Sequence, residues 1–481
     1  MRGEDRGRPA RLIGALCGAL LALTLAPAAS AQVLPDLPEF PDLCVPVPPG
    51  ADLPTLVDAS LPGQSFCLDA GLHRVSRTIR PKADQSFIGA PGAVLSGAIS
   101  VVGFTSTSGA FSAPAPIVEP VMRGECRDAT SGLCRIPNTV FVDDVPMVPA
   151  PSLDELDAGE SFLDYDTAAL YLAEEPAGSE VEVASTPFAF YGINLGTGTP
   201  GVSISGLVIE KFANLAQSGA ISTYTGTDWR IEDNEIRLNH GCGIWSGSGA
   251  VVSGNYVHHN GQLGLCGQGD SILVENNEIS FNNNKGFDPR WEAGGSKWVN
   301  TTDLIVRGNH SHNNYGPGLW TDINNLDVLY DGNLIEFNEN EGILHEISYR
   351  AVIRGNTIRR NGLTASKGVA GSGITISTSR DVTVTGNRIA KNRNGILLRS
   401  DDRGTGTHGL YLLENVRVAA NRIRMTRGFT GVLGSAAGSS VYSGVTFENN
   451  TYRVGKKKKA FRWRDRMLTL RGWRSQGNDR P

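Results

Sequence analysis

Past residue 31 the sequence has no apolar run near the roughly 20 residues that a membrane-crossing helix requires, so no membrane span is expected. Aromatic residues are scarce at 7% and charged residues at 19%, which excludes a disordered polyelectrolyte and a charge-laced coiled coil. No Cys-x-x-Cys pair is present, which excludes the usual zinc frameworks, and no calcium-binding nonapeptide repeat occurs. What the chain has in excess is glycine and proline, 58 and 25 of 481 residues. Such a chain turns often.

The first 31 residues carry Arg2, Arg6, Arg8 and Arg11, then an apolar stretch from Leu12, then Ala29-Ser30-Ala31, the layout of a secretory signal. Leu16 stands before Cys17 where a lipidation site has a small residue. With the signal removed, six cysteines remain in three near-neighbour pairs, expected as disulfides Cys44–Cys67, Cys126–Cys134 and Cys242–Cys266 in an oxidising compartment. The third is the least regular, because its residues fall on adjacent repeats three positions out of register. The whole chain carries a formal charge of −5, of which the signal contributes +2, leaving −7 for residues 32–481. From Thr451 onward seven Arg and four Lys oppose two Asp, or +9, so the body holds −16 and repels nucleic acid.

Residues 200–455 are dominated by self-similarity. An Asn follows a short apolar strand at 234, 255, 277, 309, 333, 356, 387, 421 and 450, at intervals of 21 to 34 residues. Three places before it stand Ile231, Val252, Val274, Val306, Tyr330, Ile353, Val384, Val418 and Phe447. Two places after it stand Ile236, Val257, Ile279, Ser311, Ile335, Ile358, Ile389, Ile423 and Tyr452. Nine places after the first five comes a Gly (Gly243, Gly264, Gly286, Gly318, Gly342) followed by an apolar residue. Each repeat thus reads strand, Asn turn, strand, Gly turn, strand, a pattern of stacked coils rather than separate domains. Asn suits the bend because its amide bonds to equivalents above and below.

On these residues the chain resembles the right-handed parallel β-helix, or pectin-lyase-like, superfamily over residues 68–450. The implied fold is all-β, a solenoid of about ten coils with a small β-rich insert and terminal caps. The expected division is a signal at 1–31, a Pro-rich segment at 32–66, an N-terminal cap and first coil at 67–109, the insert at 110–200, coils at 201–455 and a basic cap at 456–481.

Alignment of the repeats on the turn Gly predicts two outward columns on one face. Four places after it lie Gly247, Gln268, Arg290, Asp322 and Glu346, and two places after it lie Trp245, Cys266, Asp288, Trp320 and Leu344. Asp288, Arg290, Asp322 and Glu346 therefore gather, with His345 close by. The long interval from Asn277 to Asn309 adds Trp291, Glu292, Lys297 and Trp298, a loop fit to be the rim of a sugar-binding groove. Trp245 and Trp320, three coils apart, lie about 14 Å from one another by strand spacing, suited to two sugars of one chain.

Gly286-Phe287-Asp288-Pro289 with Glu292 is similar to the motif of mannuronan C5-epimerases. Lys285 stands at that motif's Tyr, Arg290 at its catalytic His, and Trp291 is inserted before the Glu, so only Asp288 carries over. On their own chemistry, Asp322 and Glu346 on neighbouring coils lie about 5 Å apart, where two carboxylates cannot both ionise easily, the arrangement of an acid and a nucleophile in a retaining glycosidase. A charge ladder neutralised by Arg290 explains the same column structurally. A lyase or epimerase requires a base, Lys297, and a cation, Arg290, against a uronate carboxylate. A third class is a β-helix that binds a glycan without cutting it. His310 and His312 share a strand face but show no third ligand at a fixed offset, and read as surface residues. The expectation is a secreted, monomeric protein acting on a polysaccharide, a hydrolase ahead of a lyase or epimerase, with no cofactor and no metal.

Overall fold

The computed structural model describes residues 43–480 except 108, 195, 365–370, 434–441, 457–458 and 465. The expected signal at 1–31, the start of the Pro-rich segment and Lys457 and Lys458 of the basic tail lie outside the described residues.

Successive coils each add one strand to three long parallel sheets, producing a right-handed parallel β-helix. In the first sheet Ile204, Ile231, Val252, Val274, Val306, Tyr330, Ile353, Val384, Val418 and Phe447 sit in one register column. In the second sheet Ile209, Ile236, Val257, Ile279, Ser311, Ile335, Ile358 and Ile389 form another. Apart from Ile204 and Ile209, which precede the first Asn, these are the positions read from the Asn spacing, and all are buried. Each Ile or Val so stacked contributes about 1.5–3 kcal/mol of transfer energy.

Between the two columns the chain turns on Asn. The backbone N–H of Asn255 donates to Asn277 Oδ1 at 2.9 Å, that of Asn277 to Asn309 Oδ1 at 3.0 Å, and so on through Asn421 to Asn450. Each Nδ2 also donates to a strand carbonyl, as Asn255 does to Ile231 at 2.7 Å. A second ladder stands one corner later, five residues on: Asn239, Asn260, Asn282, Asn314, Asn338, Asn361 and Asn392, bonded in the same way. The first ladder ends on Asp479, whose Oδ1 accepts from Asn450 N at 2.8 Å.

Both ends are closed. Helix Leu53–Ala59, N-capped by Asp52, buries Leu53 and Val57 over the first coil. Helix Leu470–Ser475 buries Trp473 against Phe447 and Phe461. Strand Ser86–Gly89 pairs directly with Ser203–Ser205, so the chain leaves the solenoid between them. The excursion, expected at 110–200, builds its antiparallel strands from Ala98 to Ala184, with a core of its own that includes Leu170, Leu172 and Val183. The three disulfides join Cys44 to Cys67, Cys126 to Cys134 and Cys242 to Cys266 with Cα separations of 5.8, 5.7 and 6.4 Å. Cys242 pairs with Leu263 and Trp245 with Cys266 in the sheet, so the third bond crosses the coils out of register, as the spacing implied.

Candidate functional site

The outer face of the third sheet carries the site. Its strands Cys242–Ser246, Leu263–Asp270, Gly294–Thr302, Leu319–Asp322 and Ile343–Glu346 stack in that order. Asp322 pairs with Glu346 in register, so the two carboxylates project side by side from neighbouring coils.

The coil before them differs from the sequence-based alignment. The expected turn residue was Gly286, but the place is taken by Gly295. A Cβ on Gly264 would meet the Gly295 carbonyl, and a Cβ on Gly295 would meet that of Gly318. Cys266 consequently pairs with Lys297, and Trp298 with Thr321. Lys297 stands in the column expected for Asp288.

Residues 283–293 leave the coil altogether. Asn283 brackets the departure, its Nδ2 donating to Phe287 O and its Oδ1 accepting from Phe287 N, both at 2.9 Å. Asp288 caps the short helix Pro289–Glu292 and pairs with Arg290 at 2.7 Å, while Arg290 itself points into solvent, 87% exposed. Trp291 stacks on Phe287 beneath the Cys126–Cys134 loop, which bridges to Phe287 and holds Asp288 N through Glu125 O at 2.8 Å. The segment is therefore clamped by the insert and is not a free rim. Asp288, Arg290 and Trp291 do not join Asp322 and Glu346.

What does join them is Lys297. Its Nζ lies 3.0 Å from Asp322 Oδ2, 3.5 Å from Glu292 Oε2 and 4.2 Å from the centre of the Trp320 ring. Gln217 Nε2 donates to Glu292 Oε2, and Arg123, from the insert, donates to Gln217 Oε1. On the other side Arg403 Nη1 donates to Glu346 Oε1 at 2.6 Å. A row of charged and polar groups results, Arg123, Gln217, Glu292, Lys297, Asp322, Glu346, Arg403, with the carboxylates of Asp322 and Glu346 adjacent in it. Lys297, Asp322 and Glu292 are nearly closed off from solvent, and Asp322 Oδ1 has no hydrogen-bond partner among the described residues.

Burial raises the Asp322 carboxyl above the usual carboxylate range, against the pull of Lys297. Burial also raises Glu346, the neighbouring Asp322 charge raises it further, and Arg403 opposes both. Glu341, on the turn that leads into the same strand, is pushed up to about 7 by burial although two backbone N–H groups hold its charge.

The aromatic expectations fare differently. Trp298 faces the solenoid interior and is fully buried. Trp320 is 3% exposed and lies under the Lys297 ammonium, so its ring face is already occupied. Trp245 is half-buried against the Cys242–Cys266 bond. His345 also points inward, accepting from Thr321 Oγ1 at 2.8 Å, and burial drives it down to about 3, which keeps the ring neutral. Tyr330 donates to the same Thr321 oxygen at 3.1 Å, completing a polar seam behind the two carboxylates.

Arg403, Gln217 and Glu341 were not singled out in the sequence. The signal for Arg403 was present: the interval from Asn387 to Asn421, 34 residues, is longer than any other in the ladder. That excess is the loop after strand Asn394–Arg399, which packs through Tyr411 and Thr407 on Asn324 at 2.5 and 2.8 Å and so carries Arg403 to Glu346. Tyr224, Gln268, Asp270 and Asn300 line a concavity of about 400 Å³, and Asn324, two residues past Asp322, donates through Nδ2 to Asn300 Oδ1 at 3.1 Å.

Among known proteins, the family described as a right-handed beta helix region matches residues 219–372. Comparison with curated protein sequences yields no match. Solved structures that the chain resembles include XylC in complex with xylose, at 14% identity and TM-score 0.67, covering 86% of this chain and 83% of that one. The A-module of the Azotobacter vinelandii mannuronan C-5 epimerase AlgE6 aligns at 16% identity and TM-score 0.48, covering 85% and 93%. PfbA, a surface adhesin of Streptococcus pneumoniae, aligns at 10% identity and TM-score 0.34, covering 85% and 86%. The chain has the fold of a right-handed parallel β-helix.

Proposed function

We propose that the protein is an exported glycoside hydrolase acting on a polysaccharide, with Glu346 as the general acid and Asp322 as the nucleophile. The observation that carries the reading is the in-register pair Asp322–Glu346 on adjacent strands, about 4.8 Å apart by strand spacing. That separation fits the retaining geometry, in which no water has to fit between the carboxyl groups during the first step. Lys297, donating to Asp322, favours its ionised form as a nucleophile requires. Glu346, raised by burial and by the charge of Asp322, is the member suited to hold a proton for the leaving oxygen.

In the first step an Asp322 oxygen forms a bond to the anomeric carbon as that carbon's bond to the glycosidic oxygen breaks, and Glu346 protonates the departing oxygen, which leaves as an alcohol. In the second, Glu346 removes a proton from water, and the water oxygen displaces Asp322. Arg403 stabilises the carboxylate that Glu346 becomes between the two steps. The concavity bordered by Tyr224, Gln268 and Asn300 offers hydroxyl-binding groups and an exposed ring for flanking sugars. Three disulfides and the N-terminal sequence support an exported protein.

In a lyase or epimerase Lys297 would have to serve as base, but its ammonium is engaged by Asp322 and Glu292. Arg290, the cation assigned to the uronate in that reading, lies away from the site. A glycan panel assayed in parallel for new reducing ends and for the ultraviolet absorbance of unsaturated uronates tests the proposal. Reducing ends without unsaturation are expected. Unsaturated products, or binding without turnover across the panel, overturn it.

A further inference from the structure

We propose that the second sheet carries a binding site for a divalent transition-metal ion, with zinc as its best-fitting occupant, formed by Glu278, His310 and His312. It is on a different sheet from Asp322 and does not depend on the hydrolase reading.

The site exists because the solenoid stacks three short strands, Glu278–Ser280, His310–His312 and Leu334–Glu336. Glu278 pairs with His310, and His312 with Glu336, so residues 32 positions apart in sequence come to one face. The alternation of the strand sends His310 and His312 outward together while Ser311 points into the core. A ligand atom from each of Glu278, His310 and His312 lies within 4.8 Å of the others. The separation of His312 Nε2 from Glu278 Oε1 is 3.1 Å. Four-coordinate zinc with bonds of about 2.0–2.1 Å holds its ligand atoms about 3.3 Å apart, so this pair is already at coordination spacing.

The hydrogen bonds favour a cation. His312 Nδ1 lies 2.8 Å from Asn313 Oδ1, an oxygen that only accepts, so Nδ1 is the protonated nitrogen. That leaves the Nε2 lone pair facing the Glu278 carboxylate, a contact that needs a positive centre between the two atoms. A histidine whose remote nitrogen donates to an oxygen is the usual form of a metal ligand. His310 Nε2 is buried and makes no hydrogen bond among the described residues, with Glu336 Oε1 at 3.4 Å. Glu336 is held in turn by Arg359, Nε to Oε2 at 2.5 Å and Nη2 to Oε1 at 3.2 Å, and so orients His310 rather than serving as a ligand. Two imidazoles and one carboxylate select zinc, copper, nickel or cobalt over calcium and magnesium, which prefer oxygen alone. The remaining coordination position is left to solvent or to an incoming ligand.

The test uses the chain without an affinity tag, stripped by chelator and dialysed against zinc chloride near neutral pH, and in parallel against cobalt chloride for the visible absorption of a four-coordinate ion. One equivalent of zinc is expected, bound at micromolar affinity or tighter, with a raised midpoint of thermal unfolding. His312→Gln and Glu278→Gln should each weaken binding by about 100-fold or more, a loss at least as large as that seen on removing outer-shell partners of metal ligands. Both side chains lie at the surface, and metal-free melting curves that match the parent show that each variant is folded. Absence of zinc binding by the parent overturns the proposal. Undiminished binding by a folded Glu278→Gln variant overturns it as well.

Discussion

Two of the corners in each coil contrast sharply with the third. At the first and second corners an Asn amide bonds coil to coil, and the two Asn stand five residues apart in coil after coil, as in Asn234 and Asn239, Asn277 and Asn282, or Asn387 and Asn392. Between the second corner and the third sheet, and again after that sheet, no such ladder is continuous among the described residues, and there the chain departs. Residues 283–293 leave after Asn282, and the loop bearing Arg403 leaves after Arg399. Buried amides with every polar atom partnered leave no room for an insertion, because one extra residue would orphan several hydrogen bonds. Corners without them tolerate extra chain, and extra chain is where the site obtained Glu292 and Arg403.

Four measurements press on this contrast. The largest effect is expected on the permissive side, where Asp322→Asn and Glu346→Gln should each lower the rate on an active glycan by about 10³-fold or more while the thermal midpoint holds. Full activity in both variants would remove the hydrolase assignment, and loss in Lys297→Ala alone would favour the lyase. On the constrained side, Asn282→Ala deletes donors to Val257 O and Asn314 Oδ1 and an acceptor for Asn260. It should cost about 3–5 kcal/mol in denaturant unfolding; a loss below 1 kcal/mol would show that the ladder does not set the register.

Glu341 supplies a pH test. Its carboxyl is raised from 4.5 to about 7, so the folded state binds the proton more tightly than the unfolded one. The resulting stability is fully present below pH 4.5 and is lost as pH rises through 7. Glu341→Gln should flatten that decline, a gain on the order of 3 kcal/mol on the alkaline side and none at acid pH, read from unfolding midpoints across pH. The smallest change is expected from Arg403→Ala. It should reduce turnover by about 10-fold through loss of the charge beside Glu346, yet leave stability within about 0.5 kcal/mol, because the pair is partly exposed.

The constrained corners are the reason the fold was legible. An Asn flanked by an apolar residue three before and two after repeats so regularly that strands, turns and core columns follow from position alone. A second ladder, five residues past seven of the nine Asn, from Asn239 to Asn392, is equally legible. The site was legible only in part. Asp322 and Glu346 fell together because Gly318 and Gly342 both mark the true turn. Asp288 and Arg290 were misplaced because the preceding coil offers two glycines, Gly286 and Gly295, and only the packing of 283–293 under Cys126–Cys134 decides between them. Trp298 and His345 follow from the same strands once the register is known, since each lies one position from an outward residue and so must face inward. Arg403 lies 57 residues from Glu346 in sequence, and no local pattern encodes that encounter.

The last rung of the first ladder is a carboxylate. The Asn-to-Asn hydrogen bonds all run in one sense, from each coil toward the next, while each Nδ2 also reaches back to a strand carbonyl of the coil before, so the ladder has a direction and ends on a group that receives without giving. Asp479 does so, taking Asn450 N and Nδ2 on one oxygen and Tyr452 Oη and Trp473 Nε1 on the other. An asparagine there would present two further donors to a buried corner with nothing beyond to accept them. The solenoid is thus polar along its length, and its final acceptor, by refusing to donate, denies a further coil the bond on which it would be laid down.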